Sequence, residues 1–132
     1  MDKKYLAQII ATDNEGLQII SALVAGGKVQ VSEIKYLSSN QVFLLSIERN
    51  KIETNEDHKK INSICRFNLI TSVKSKNIDQ KNKKLVLELK AIDYLKNKDD
   101  YEINLIFNNN AHIALTTEAI EVRLEDQSEI KD

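Results

Sequence analysis

Hydrophobic and polar positions alternate over Tyr101–Phe107 and again over Ala111–Leu115, on either side of Asn108-Asn109-Asn110. Tyr101, Ile103, Leu105 and Phe107 share one phase, and Ala111, Ile113 and Leu115 share the matching phase of the second arm. Two period-two runs around a turn-forming cluster predict an antiparallel hairpin with one buried face. A two-residue loop would set Phe107 opposite His112 and turn Ile113 to the wrong face. A loop through all three asparagines instead pairs Phe107 with Ala111, Leu105 with Ile113 and Ile103 with Leu115. Such loops place a residue in the left-handed region, which Asn tolerates better than other non-glycine residues.

Elsewhere the same reading gives a short strand over Tyr5–Ala11, then a helix near residues 13–25. Thr12 and Asp13 offer its N-cap, with Glu15 at capping-box spacing from Thr12. Leu17, Ile20 and Val24 form its buried stripe with Ile19 and Leu23 beside them, and Gly26-Gly27 stop it. Val29 and Val31 take one β phase and Ile34 and Tyr36 the other, which predicts a bulge near Ser32-Glu33. Val42–Ile47 reads as a strand covered on both faces, and Ile61–Val73 as one bent strand or two short ones. Leu85, Leu87, Leu89 and Ala91 alternate as a further strand. A second helix is expected near residues 117–126, with Glu118 and Glu121 in its first turn, although Ile120, Val122 and Leu124 also suit a strand.

This order predicts a single α+β domain over residues 1–126 with a polar tail at 127–132. Short connections imply antiparallel pairing in a strongly curved sheet or split barrel of about seven to eight strands with two helices. A pleckstrin-homology-like barrel has the same element order.

Composition narrows the function more than it defines it. The 19 basic and 20 acidic residues leave a net charge of −1, so no global field recruits nucleic acid or an anionic membrane. One cysteine, Cys65, excludes an internal disulfide framework and a cysteine-based zinc site. No apolar run reaches the length that spans a bilayer. The expectation is a cytoplasmic protein without stable membrane association or nucleic-acid partner, and with no cofactor or metal. Lysine is abundant and proline absent, a bias that makes any single surface lysine weak evidence.

Several short strings, in order along nearly the whole chain, resemble an uncharacterised bacterial family, domain of unknown function 2948, typical of alphaproteobacteria. They are Ala11-Thr12-Asp13 with Leu17–Ala22, Tyr36-Leu37, Arg49-Asn50, Ile78-Asp79, Leu89–Ile92, and Glu118–Glu121 with Leu124 and Asp126. Asn77 stands where that resemblance implies glycine, and Asn109-Asn110 where it implies a glycine pair. Both departures point to positive φ. The resemblance implies no activity.

The candidate chemistry is sparse. His58 and His112 have neither i, i+4 spacing nor a cysteine partner, so they make no metal site. Cys65 shares a phase with Phe67 and Leu69 and reads as a small core residue. Gly26-Gly27 end a helix, whereas phosphate-cradling turns precede one. Asp13 reads as a cap and Asp79 as a turn residue. Arg49 continues the apolar phase of Phe43, Leu45 and Ile47, so it either snorkels, pairs with a carboxylate or faces a ligand together with Asn50. Lys81, Lys83 and Lys84, with Lys74 and Lys76, make the strongest local charge and the candidate anion-binding turn, but no arginine or aromatic residue joins them. The leading expectation is a non-enzymatic module that binds a protein partner or a second copy of itself. The alternatives are a small-ligand binder or enzyme with a site near Arg49 and Asn50, and weak anionic-surface binding through the Lys74–Lys84 turn.

Overall fold

The computed structural model describes residues 7–50 and 60–129. Ten strands and one α-helix follow in the order β1 (Gln8–Ala11), α1 (Asn14–Val24), β2 (Lys28–Gln30), β3 (Ile34–Leu37), β4 (Val42–Asn50), β5 (Lys60–Phe67), β6 (Ile70–Lys76), β7 (Val86–Lys96), β8 (Tyr101–Phe107), β9 (His112–Thr117) and β10 (Val122–Glu129). The strands lie in the order β1-β10-β5-β4-β2-β7-β8-β9-β6, with β3 also paired to β4. The path does not close. Every pairing is antiparallel.

The asparagine hairpin has the register that the alternation requires. Leu105 pairs with Ile113 and Ile103 with Leu115, and the Phe107 amide donates to the Ala111 carbonyl at 2.9 Å. Asn109 and Asn110 have φ of 58° and 60°, and Asn77 has 60°. All three positions at which glycine is implied are therefore left-handed.

Helix α1 begins where the sequence offers a cap. Asp13 is extended, and its Oδ1 accepts from the Gly16 amide at 2.8 Å. The cap is Asp13 itself rather than a Thr12–Glu15 box. Leu17, Ile20, Ser21 and Val24 are buried, but Ile19 is exposed because its side of the helix faces away from β7, β1 and β4. Ser21 Oγ accepts from the Ile92 amide at 2.9 Å, which ties the helix to β7. Gly27 follows because a side chain there would come within 2.6 Å of Ile47.

Other expectations fail. Residues 117–126 are not a helix. Val122, Leu124 and Asp126 point inward while Arg123, Glu125 and Gln127 point out, and the segment pairs with both β1 and β5. Backbone bonding on two sides outweighs the acidic first turn that suggested a helix. The likeness to a pleckstrin-homology barrel rested on that C-terminal helix. The strand count is also higher than expected. Beyond β10, the predicted strand over Val29–Tyr36 is split in two by a 3-10 turn at Val31–Glu33, in place of a bulge.

Ile61–Val73 resolves into β5 and β6, separated by Leu69 at φ 63°, which turns Leu69 out of the phase of Cys65 and Phe67. In β7 a bulge between Leu89 and Ala91 shifts the inward phase, so Ile92 rather than Ala91 is buried. Val42, Phe43, Leu45 and Ile47 are all buried, so the apolar surface of β4 is used inside the molecule. Phe43 meets Phe67 edge to face in the core, with centroids 5.9 Å apart.

Candidate functional site

Three adjacent strands each place one polar residue on an otherwise apolar inward phase. Arg49 follows Leu45 and Ile47 on β4, Ser63 stands between Ile61 and Cys65 on β5, and Asp126 follows Val122 and Leu124 on β10. The register sets Ser63 directly opposite Asp126 and beside Ile47, two residues from Arg49. The three side chains consequently converge. Arg49 Nη2 lies 2.9 and 3.1 Å from the two Asp126 oxygens. Arg49 Nε donates to Ser63 Oγ at 3.0 Å, and Ser63 Oγ donates to Asp126 Oδ1 at 2.6 Å. The Ala7 amide donates to Asp126 Oδ2 at 2.7 Å. Arg49 is 1% exposed. A buried ion pair persists when its remaining donors and acceptors are also satisfied, and here they are. Asn50 is exposed at the end of β4, and its carbonyl lies 3.4 Å from Arg49 Nη1. Arg49 thus has its carboxylate partner inside the fold.

Asp126 and Ser63 are the residues that sequence reasoning did not single out. Each is polar on an apolar phase, the same signal that marks Arg49. Asp126 was hidden by reading its segment as a helix.

Among the clefts of the described surface, two stand out. The larger of the two, about 370 Å³, is lined by β2, β4 and β5, with Lys28, Gln30, Glu48, Asn62 and Gln127 beside Ile47 and Ile64. The smaller, about 190 Å³, lies between β3 and β6, with Phe43 and Ile113 among its walls and Gln80 and Lys83 at its polar side. Lys81, Lys83 and Lys84 are all exposed. Their turn is held by its backbone: the Val31 amide donates to the Leu85 carbonyl at 2.9 Å and the Ser32 amide to the Lys83 carbonyl at 3.3 Å. Asp79 accepts from the Lys81 amide at 3.1 Å, as a turn residue does.

The outer side of the sheet β7-β8-β9-β6 has a different character. Its rows, read across the strands, are Leu95-Glu102-Thr116-Ser72, Asp93-Asn104-Ala114-Lys74 and Ala91-Ile106-His112-Lys76. The two central strands of this face carry Ala114 and Thr116, both half-buried, the exposed Ile106, Glu102, and His112 with Nε2 2.8 Å from Asn104 Oδ1. Asp93 lies on β7 and Glu102 on β8, Lys74 and Lys76 lie on β6, and β7 also carries the exposed Lys90–Glu88 ion pair next to Ala91.

Cys65 is buried, and burial pushes its thiol up to about 12, away from nucleophilic chemistry. Among the described residues no cluster of three or more His, Cys, Asp or Glu could hold a metal ion; His58 lies outside them. No described helix is long and apolar enough to cross a membrane.

The sequence profile of a family described as "Protein of unknown function (DUF2948)" matches residues 7–131. No curated protein and no solved structure matches the chain.

Proposed function

For a chain that belongs to the DUF2948 family of unknown function, we propose a non-enzymatic module that docks a protein on the outer face of the sheet β7-β8-β9-β6. The observation that carries this reading is the make-up of that face. Ala91, Ala114, Thr116 and Ser72 are small, Ile106 and Leu95 are exposed apolar residues, Asn104 and His112 are polar, and the charges of the three rows are Asp93 on β7, Glu102 on β8 and Lys74 and Lys76 on β6. A face of small and polar side chains, with Asp93 on one edge strand and Lys74 and Lys76 on the other, suits a protein interface. Arg49, the strongest single candidate for ligand chemistry, supports the reading from the other direction, since its guanidinium bonds Asp126 and Ser63 and serves the fold.

The test compares wild type with Ala114→Arg in affinity capture from the cells that make the protein, followed by reconstitution with each purified candidate. A partner that binds wild type and is lost with Ala114→Arg supports the face. Equal binding by both refutes it.

One observation favours a second reading. The cleft between β3 and β6 reaches Phe43 and Ile113, which are otherwise core residues, and Lys83 stands at its polar side. At about 190 Å³ it is smaller than the usual ligand site of about 300 Å³ or more. Spectral titration with small apolar carboxylates, compared between wild type and Lys83→Gln, tests it directly. Saturable binding that Lys83→Gln weakens would establish this reading.

The lysine turn as a reader of anionic surfaces has less support. Lys81, Lys83 and Lys84 offer point charges without bidentate or stacking partners, and the net charge is −1. Binding to nucleic acid or anionic vesicles is expected only at low salt.

A further inference from the structure

We propose that the partner on the β7-β8-β9-β6 face is a second copy of this chain, related by a two-fold axis parallel to the strands between β8 and β9. The inference rests on the docking reading above and adds the identity of the occupant.

The argument is one of charge placement. Asp93 on β7 and Lys74 on β6 lie in the same row, three strand spacings or roughly 14 Å apart. Asp93 stands on one edge strand and Lys74 and Lys76 on the other, while Glu102, on β8 beside the axis, lies over the second copy's Thr116. Within the described residues none of these four sits in an ion pair. A face with acid on one side and base on the other is complementary to itself. The proposed two-fold lays β7 of one copy over β6 of the other. It sets Asp93 against the second copy's Lys74 twice, and lays Asn104 over the second copy's Ala114.

Isologous contacts of this kind close the assembly at two copies. The small central side chains let the sheets approach, as packed sheets do, with Ile106 and His112 meeting across the centre. An axis perpendicular to the strands would set each column on its own copy and bring Lys74 and Lys76 towards like charge, which is unfavourable.

The face is four strands wide and about five residues long, on the order of 300 Å² per copy. Both copies together fall below the standard interface of about 1,200–2,000 Å². The pairing is therefore reversible and depends on concentration.

The experiment is sedimentation equilibrium on the full chain from low micromolar to about millimolar concentration at two salt concentrations. Wild type is expected to rise from the 15.1 kDa protomer towards twice that mass, less steeply at high salt. Asp93→Lys and Lys74→Asp alone are each expected to weaken association by about tenfold or more, and the double reversal to restore it. Both side chains are exposed, and a circular dichroism spectrum confirms that each variant is folded.

A constant protomer mass throughout the range overturns the inference. So does association that the single reversals leave unchanged, or that the double reversal fails to restore. The docking reading fails separately. If wild type stays a monomer but loses a captured protein with Ala114→Arg, the face stands and the self-partner falls. If neither association nor capture responds to Ala114→Arg, both fall.

Discussion

Arg49 and Asp126 stand 77 positions apart in the chain and meet inside the protein, with 2.9 Å between Nη2 and Oδ1. Strand β5 lies between their strands and contributes Ser63 to the same cluster. Removing one ion of a buried pair leaves the other charged and unpaired, which costs about 3–5 kcal/mol, whereas replacing both with apolar residues is often nearly neutral. Asp126→Ala is therefore expected to destabilise by about 3–5 kcal/mol, and Arg49→Met with Asp126→Leu to recover part of that loss, since the Ser63 hydroxyl and the Ala7 amide still lose their acceptor. Urea unfolding of the singles and the double reads it. Independent, additive effects would show that the pair is not coupled.

The asparagine loop yields a second test. Asn110 has φ of 60°, which glycine adopts freely and a β-branched residue resists. Asn110→Gly is expected to raise stability by up to about 1 kcal/mol and Asn110→Val to lower it by about 1–2 kcal/mol. Thermal unfolding of both variants orders them. A valine variant as stable as the glycine variant would contradict the left-handed assignment.

Much of this fold was readable from the chain because several segments carry only one period. The 101–115 hairpin was complete down to its register, and Asp13 and Gly26-Gly27 marked both ends of α1. Residues 117–126 were misread because Glu118, Glu121, Ile120 and Leu124 satisfy a helix locally. The strand wins through pairing with β1 and β5, which no local pattern encodes. Arg49 drew notice as a polar residue on an apolar phase, but its partners depended on strand order. The outer face of β7-β8-β9-β6 was equally hidden, since its rows exist only across registered strands. The implied glycines at Asn77 and Asn109-Asn110 did predict positive φ, because that preference belongs to the backbone of the residue itself.

Cys65 gives a pH-dependent prediction. Burial raises its thiol from 9.0 to about 12, so the folded protein keeps this proton after the unfolded chain has lost it. The associated stability is fully present below about 9 and drains away as pH rises from about 9 to about 12. Between pH of about 8 and about 11, wild type should lose more stability than Cys65→Ala. At pH of about 8, a thiol reagent should label native protein far more slowly than protein in denaturant. Equal labelling rates would contradict the buried position.

Gly27 is a packing test. A Cβ there would lie 2.6 Å from Ile47 Cδ1 and 2.9 Å from the Val24 carbonyl oxygen. Gly27→Ala is expected to cost about 1–3 kcal/mol, the usual range for overpacking a tight core. Chemical denaturation measures it. An unchanged midpoint would mean that the α1–β2 turn and β4 do not approach as closely as described.

The central claim, that the β7-β8-β9-β6 face docks a protein, is tested most directly by a photo-activatable residue placed at Ala114 in the living cell. Controls carry the same residue at Gln18 on α1 and Lys98 in the β7–β8 turn, both exposed. Illumination is expected to give one discrete adduct from position 114 and little from the controls, whether the adduct is a second copy or another protein. Adducts absent at 114, or equally abundant at all three positions, would contradict the account.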